Sequence, residues 1–253
     1  MNLSLLRRRF VLLSALSLAM FAAPLSAADG GPTPYPDAKD EAAWPGKGPI
    51  RLHGWMVDNR AAFWDQREKD QGAVVFAGDS LIGGWKPELM KKAFPNLKIA
   101  NRGVGGDTSR GLLFRFKEDV LDLNPAAVVI CIGSNDLSAH GDPAAVEANI
   151  AEMIEMARQH SATMPIVLCL TPPRDSKEAP TKPGAHPELN ERIAQLAEGR
   201  EHVALADTFN PMATPAGKPI PEYFGKDRVH ITAAGFEKWG EVLRPVLHRL
   251  GVE

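Results

Sequence analysis

Ala126-Ala127-Val128-Val129-Ile130-Cys131-Ile132 is an unbroken apolar run, and Gly133-Ser134-Asn135-Asp136 follows it directly. A run of that length, rich in β-branched residues and closed by glycine, reads as a strand buried on both faces. Such strands belong to parallel sheets covered by helices on either side. Outward from it, residues 73–77 and 165–170 are equally continuous, whereas 97–101 and 202–207 alternate apolar with polar, and helical patterns separate all five. This alternation predicts an α/β fold, a three-layer sandwich around a five-stranded parallel sheet. The two alternating strands fit the edges, and right-handed crossovers then give the flavodoxin-like order 2-1-3-4-5.

The clearest crossover helix runs from 143 to about 158. Asp142 can cap it, Pro143 suits its first position, and Val146, Ile150, Met153, Ile154 and Ala157 form one stripe. Leu52, Trp55, Met56 and Phe63 recur at helical spacing, which predicts an amphipathic helix over 51–68 with His53 on its surface. Thr232 is a candidate cap for a last helix with the stripe Phe236, Trp239 and Leu243, which Pro245 is expected to end or kink.

Arg7-Arg8-Arg9, the apolar run to Phe21 and the small residues up to Ala28 read as a secretory signal peptide over 1–28, too short to span a bilayer. Cleavage is expected before Asp29 or one residue earlier. The same arginines resemble a twin-arginine signal, which implies export of a folded chain to the periplasm or the medium. Residues 29–49, with five prolines and four glycines between Gly30 and Pro49, read as an extended linker. The folded domain is therefore expected over 50–253. No further membrane span is expected in the mature chain.

Without the three leader arginines the net charge is about −5, which gives no reason to expect a nucleic-acid partner. Cys131 and Cys169, each near the end of an apolar run, read as buried free thiols, and an oxidising compartment leaves a bridge between them open.

In an open α/β sheet a site forms at the carboxyl ends of the strands. Gly78-Asp79-Ser80-Leu81 follows the first strand, Asn101-Arg102-Gly103-Val104-Gly105-Gly106-Asp107 the second and Gly133-Ser134-Asn135-Asp136 the third, while Asp227-Arg228-Val229-His230 precedes the last helix. A serine hydroxyl needs an imidazole to take its proton and a carboxylate to orient that imidazole. Among the seven histidines, only His230 has an acid at i−3 and a helix immediately after it. Ser80 read alone could equally be a helix cap. Asp79 reads as bracing its loop, Asp107 as capping a helix and Asp136 as a structural tie. His140 and His186 read as solvated.

Taken in order, these four blocks resemble the GDSL/SGNH hydrolases, across most of residues 73–232. The glycine pattern over 101–108 is similar to the branch that contains platelet-activating-factor acetylhydrolase catalytic subunits and bacterial carbohydrate esterases. The resemblance implies Ser80 as nucleophile, Asp227 and His230 as the rest of a triad, and an oxyanion hole from the N–H groups of Ser80 and Gly103 and the amide of Asn135. It implies no cofactor and no metal. Each such donor stabilises the developing oxyanion by about 3 to 4 kcal/mol.

The expected activity is removal of a short acyl group, acetyl above all, from a small-molecule or glycan ester. Residues 171–187 contain no Val, Ile, Leu, Met or Phe but carry Arg174, Asp175, Lys177, Glu178 and Lys182 among five prolines, a stiff polar rim. Met212, Ile220, Tyr223 and Phe224 are the candidates for a longer acyl pocket, as in a lipid or lysophospholipid esterase. Two other readings are a glycan-binding protein without catalysis and a metal-dependent phosphoesterase built on Asp79, Asp107, Asp136 and His230.

Overall fold

A computed structural model describes residues 30–252, so the expected signal peptide, 1–28, lies outside the described residues. Five strands form one parallel sheet: β1 (Val74–Gly78), β2 (Ile99–Gly103), β3 (Ala127–Cys131), β4 (Ile166–Cys169) and β5 (Val203–Ala206). Their order is β2-β1-β3-β4-β5, as the continuous and alternating strand patterns predicted. Every residue of β1, β3 and β4 is buried, whereas β2 and β5 keep partly exposed positions at the edges.

Alternate strand residues feed two cores. On one face Val75, Val128, Ile130 and Leu168 pack under α4 (Ser109–Asp119), α6 (Pro143–His160) and α7 (Ala185–Ala197). On the other, Phe76, Val129 and Val167 pack under α2 (Ser80–Gly83), α3 (Pro87–Ala93) and α8 (Ala233–Arg249). Trp85 and Trp239 stack there at 5.4 Å with their rings 7° from parallel. The stripe expected on α6 is buried throughout, and Asp142 caps that helix by accepting from Ala144 N–H.

Three expectations are corrected. Within the expected linker, 29–49, residues 31–49 are a strap on the domain: Trp44 is buried and stacks on Tyr35, which in turn meets Phe114 of α4. Backbone carbonyls hold it, since Arg110 donates to those of Glu41, Trp44, Pro45 and Gly48, and Arg60 to that of Thr33. The helix expected over 51–68 is α1 (Gly54–Gln66), and its buried residues are Met56 and Arg60, with Trp55 left 53% exposed. Arg60 can be buried because Glu118 and Asp119 pair with it at 2.6 and 3.2 Å. Finally, Pro245 does not end α8, which runs on to Arg249. Proline removes only the bond to the residue 241 carbonyl, and both positions are exposed, where water can replace it.

Cys131 and Cys169 are free, buried thiols at the ends of neighbouring strands. A hydrogen bond from its thiol to Cys169, together with burial, pushes the Cys131 pKa well up from its usual range.

Candidate active site

The first strand delivers Ser80 by a close approach that only glycine allows: a Cβ at Gly78 would lie 2.1 Å from the Cys131 carbonyl. Asp79 then caps α2, its carboxylate accepting from Leu81 N–H at 2.9 Å, and Ser80 is the helix's first residue. The cap is thus Asp79 and not Ser80. Burial raises the Asp79 carboxyl to about 7, against the pull of the Leu81 amide.

Asp227 and His230 share a tight turn that ends at α8. Arg228 sits at φ 61° in it, its N–H donates to the Gly225 carbonyl, and Gly225 N–H donates to the His230 carbonyl. One Asp227 oxygen accepts from the amides of Val229 and His230, both at 3.0 Å. The other meets His230 Nδ1 at 2.6 Å, and His230 Nε2 lies 3.0 Å from Ser80 Oγ. Partial burial would raise the Asp227 carboxyl, but the hydrogen bonds from His230 and Val229 hold it below the usual range. Thr232 caps α8 through Gly235 N–H, as expected, which fixes the turn to the helix.

Of the expected oxyanion donors, Ser80 N–H has no acceptor among the described residues. Asn135, in α5 (Ser134–Ser138), directs its amide N–H groups to the Asp107 carbonyl at 2.9 Å and to Asp79 at 3.3 Å, while Arg51 donates to its oxygen. Gly103 is a correction: its N–H donates to Asn101 Oδ1 at 2.9 Å, and a Cβ on it would lie 2.1 Å from Gly83 N. It is the glycine that lets α2 pack on β2. The N–H groups of Gly105 and Gly106 have no acceptor among the described residues. A Cβ on Gly105 would stand 3.9 Å from Ser80 Cβ, and its carbonyl accepts from Trp55 Nε1 at 2.9 Å.

The other carboxylates are committed elsewhere. Asp107 does not cap α4, a role taken by Thr108; it pairs with buried Arg115 at 2.8 Å. Losing either partner of such a pair costs about 3–5 kcal/mol. Asp136, raised to about 6 by burial against the pull of Ser109, accepts from the amide and hydroxyl of Ser109. These ties leave Asp107 and Asp136 unsuited to a metal-binding role. His140 is exposed, as expected, but His186 is not solvated: partly buried, it meets the Thr171 carbonyl at 3.1 Å and the edge of Phe209. Burial lowers its pKa.

A cleft of about 210 Å³ opens on Ser80 and His230, and among the described residues Ala179 and Val229 are its only apolar lining. Arg174, Ser176 and Ala179 of the polar 171–187 rim line it, whereas Met212, Ile220, Tyr223 and Phe224 do not. Met212 and Phe224 are core residues. Sequence reasoning missed Trp55, Arg51 and Gly105-Gly106 as parts of this site; the sole signal for the last was an unpaired glycine doublet.

Residues 61–238 match the GDSL-like Lipase/Acylhydrolase family. Among curated proteins, platelet-activating factor acetylhydrolase IB subunit alpha2 of Homo sapiens is 25% identical over 228 residues, covering 89% of this chain and 94% of that protein. The alpha1 subunit of Bos taurus is 26% identical, covering 87% and 88%. Among solved structures, a putative acylhydrolase from Bacteroides fragilis superimposes with a TM-score of 0.68 at 26% identity, covering 78% of this chain and 99% of that one. A GDSL-like lipase from Bacteroides thetaiotaomicron does so with 0.63 at 28% identity, covering 72% and 90%.

Proposed function

Because the chain belongs to the GDSL-like lipase/acylhydrolase family, we propose that it is a serine-dependent carboxylic ester hydrolase that removes short acyl groups, acetyl first, from a polar or carbohydrate alcohol. The observation that carries this is the continuous relay from Asp227 through His230 to Ser80 Oγ at the mouth of the cleft. Ser80 Oγ attacks the ester carbonyl as its proton passes to His230 Nε2. The tetrahedral intermediate collapses, the alcohol leaves with that proton, and water repeats the sequence on the acyl-enzyme. Asp227 keeps the imidazole in the tautomer that accepts at Nε2.

Ser80 N–H and Gly106 N–H are the backbone donors to the oxyanion, and Asn135 joins them by giving up its longer contact, to Asp79. Gly106 owes its direction to the trans peptide that joins it to Gly105. With the Gly105 carbonyl held by Trp55, the N–H of Gly106 must face the other way. Trp55 is thus a positioning residue. Trp55→Phe is expected to lower kcat about tenfold with KM little changed, since one donor is loosened and not removed. An unchanged kcat, or a loss confined to KM, would remove Trp55 from this role.

The polar cleft favours a short acyl group, and the relatives named as acetylhydrolases agree with acetyl. Those same names favour, as a second reading, a lipid esterase. The two are separated by kcat/KM for p-nitrophenyl acetate, butyrate and octanoate, followed by acetate release from acetylated xylan. Acetate is expected to be the best of the three. Octanoate preferred by tenfold, with no acetylated sugar turned over, would replace this reading by the lipid one. Export through the 1–28 leader is part of the proposal, and the N-terminal residue of the mature protein tests it.

A further inference from the structure

Arg51 and Arg174 both line the cleft that holds Ser80, and among the described residues neither has a carboxylate partner. The buried arginines elsewhere are treated differently. Arg60, Arg102 and Arg115 each pair with an acid, and Arg110 is taken up by four backbone carbonyls. A guanidinium has five N–H donors. Arg51 uses two, to Asn135 Oδ1 and Ser138 Oγ, and Arg174 uses three, to the Ser134 carbonyl and hydroxyl and the Ala179 carbonyl. Every one of these acceptors is neutral, so neither guanidinium has an ion-pair partner within contact, although both remain able to donate.

Two like charges on one small, partly buried cavity raise each other's energy. Burial lowers the pKa of Arg174, and the nearby Arg51 adds to this against the opposing pull of Asp79. Among the described residues the only acid lining the cleft, Asp227, is occupied by His230. The mature chain is acidic as a whole, so this is a positive spot within a negative protein. The Ser134 hydroxyl lines the same cavity, accepts from Arg174 and keeps its own proton as a neutral donor.

We propose that the cleft binds esters whose alcohol portion carries a carboxylate or phosphate, held between Arg51 and Arg174 while the short acyl group lies at Ser80. This rests on the ester-hydrolase reading of the same site and names its substrate class. Planar guanidinium forks match both anions, and an anion placed between them relieves their repulsion.

The test compares three acetyl esters of similar size: 4-acetoxybenzoate, 4-acetoxyphenyl phosphate and the neutral 4-acetoxybenzamide. At low salt, kcat/KM for at least one anionic ester is expected to exceed that of the neutral one by about tenfold, and the ratio is expected to shrink as salt is raised. Preference for one anion over the other identifies which group the pair reads. In Arg174→Gln the ratio is expected to fall at least fivefold, mainly through KM, and Arg174→Lys is expected to restore most of it. A neutral ester turned over as well as both anionic ones overturns the proposal, as does a ratio that Arg174→Gln leaves unchanged. Calorimetric binding of benzoate, phenyl phosphate and benzamide to the wild-type protein separates the two readings. Anion binding that depends on Arg174 without turnover of any ester keeps this site and sinks the hydrolase. Failure of both anions to bind more tightly than benzamide sinks the site.

Discussion

Replacing Ser80 by alanine is expected to lower kcat by at least about a thousandfold, because triad members act as a unit and the remaining donors supply only residual rate. The fold should survive the change. Asp79, not Ser80, caps α2, and the Ser80 hydroxyl has no partner other than His230 among the described residues. The residue is only partly buried, so the lost oxygen leaves no sealed cavity. Steady-state kinetics on p-nitrophenyl acetate, with a thermal melt as control, would check both halves. Activity within tenfold of wild type, from a sample with a wild-type melt, would show that Ser80 is not the nucleophile.

Asp227→Asn is expected to cost about a thousandfold in kcat. The same change in a triad whose aspartate is buried costs about ten-thousandfold, and the smaller figure reflects the 47% exposure of this side chain. The asparagine oxygen can still accept from Val229 and His230 N–H, which keeps the turn. Its NH2 group then faces Nδ1 and forces the tautomer protonated at Nε2, which cannot take the serine proton. KM should change little, because the carboxylate touches the imidazole and not the substrate. Steady-state kinetics on the same ester measures both constants. A loss of less than tenfold would mean that His230 is oriented by something other than Asp227.

The sheet was legible because burial writes itself into composition. β3 and β4 are apolar on both faces and central, whereas Leu97-Lys98-Ile99 and Val203-Ala204-Leu205 alternate and lie at or just before the edge strands. The relay was legible because strand ends and helix starts fix where Ser80 and His230 fall. The separate settings of the three loop glycines were not. Gly103, Gly105 and Gly106 are interchangeable as letters, and they are told apart only by Asn101, which takes the first one's N–H, and by Trp55, which takes the carbonyl of the second. The strap was missed for a related reason. Prolines and glycines in low-apolar sequence read as a linker, but this segment is held by its carbonyls, which every residue has and no pattern reveals. Helix α1 misled in the opposite sense, because its buried face contains an arginine, and apolar periodicity has no way to anticipate an acid pair waiting on α4.

The strap also sets an order of events. Its fastenings reach far ahead in the chain: the Pro45 carbonyl to Arg110 over 65 residues, Thr33 to Glu118 over 85, and Lys47 to Asn149 over 102. Contacts so distant in sequence bear the full entropy of loop closure and form late. The part of the domain that is synthesised first is therefore among the last to settle, after α4 and α6 have given it something to grip. Until then Tyr35 and Trp44 stay open to solvent, and the nascent protein carries an aromatic stretch that a holding chaperone or a protease can reach.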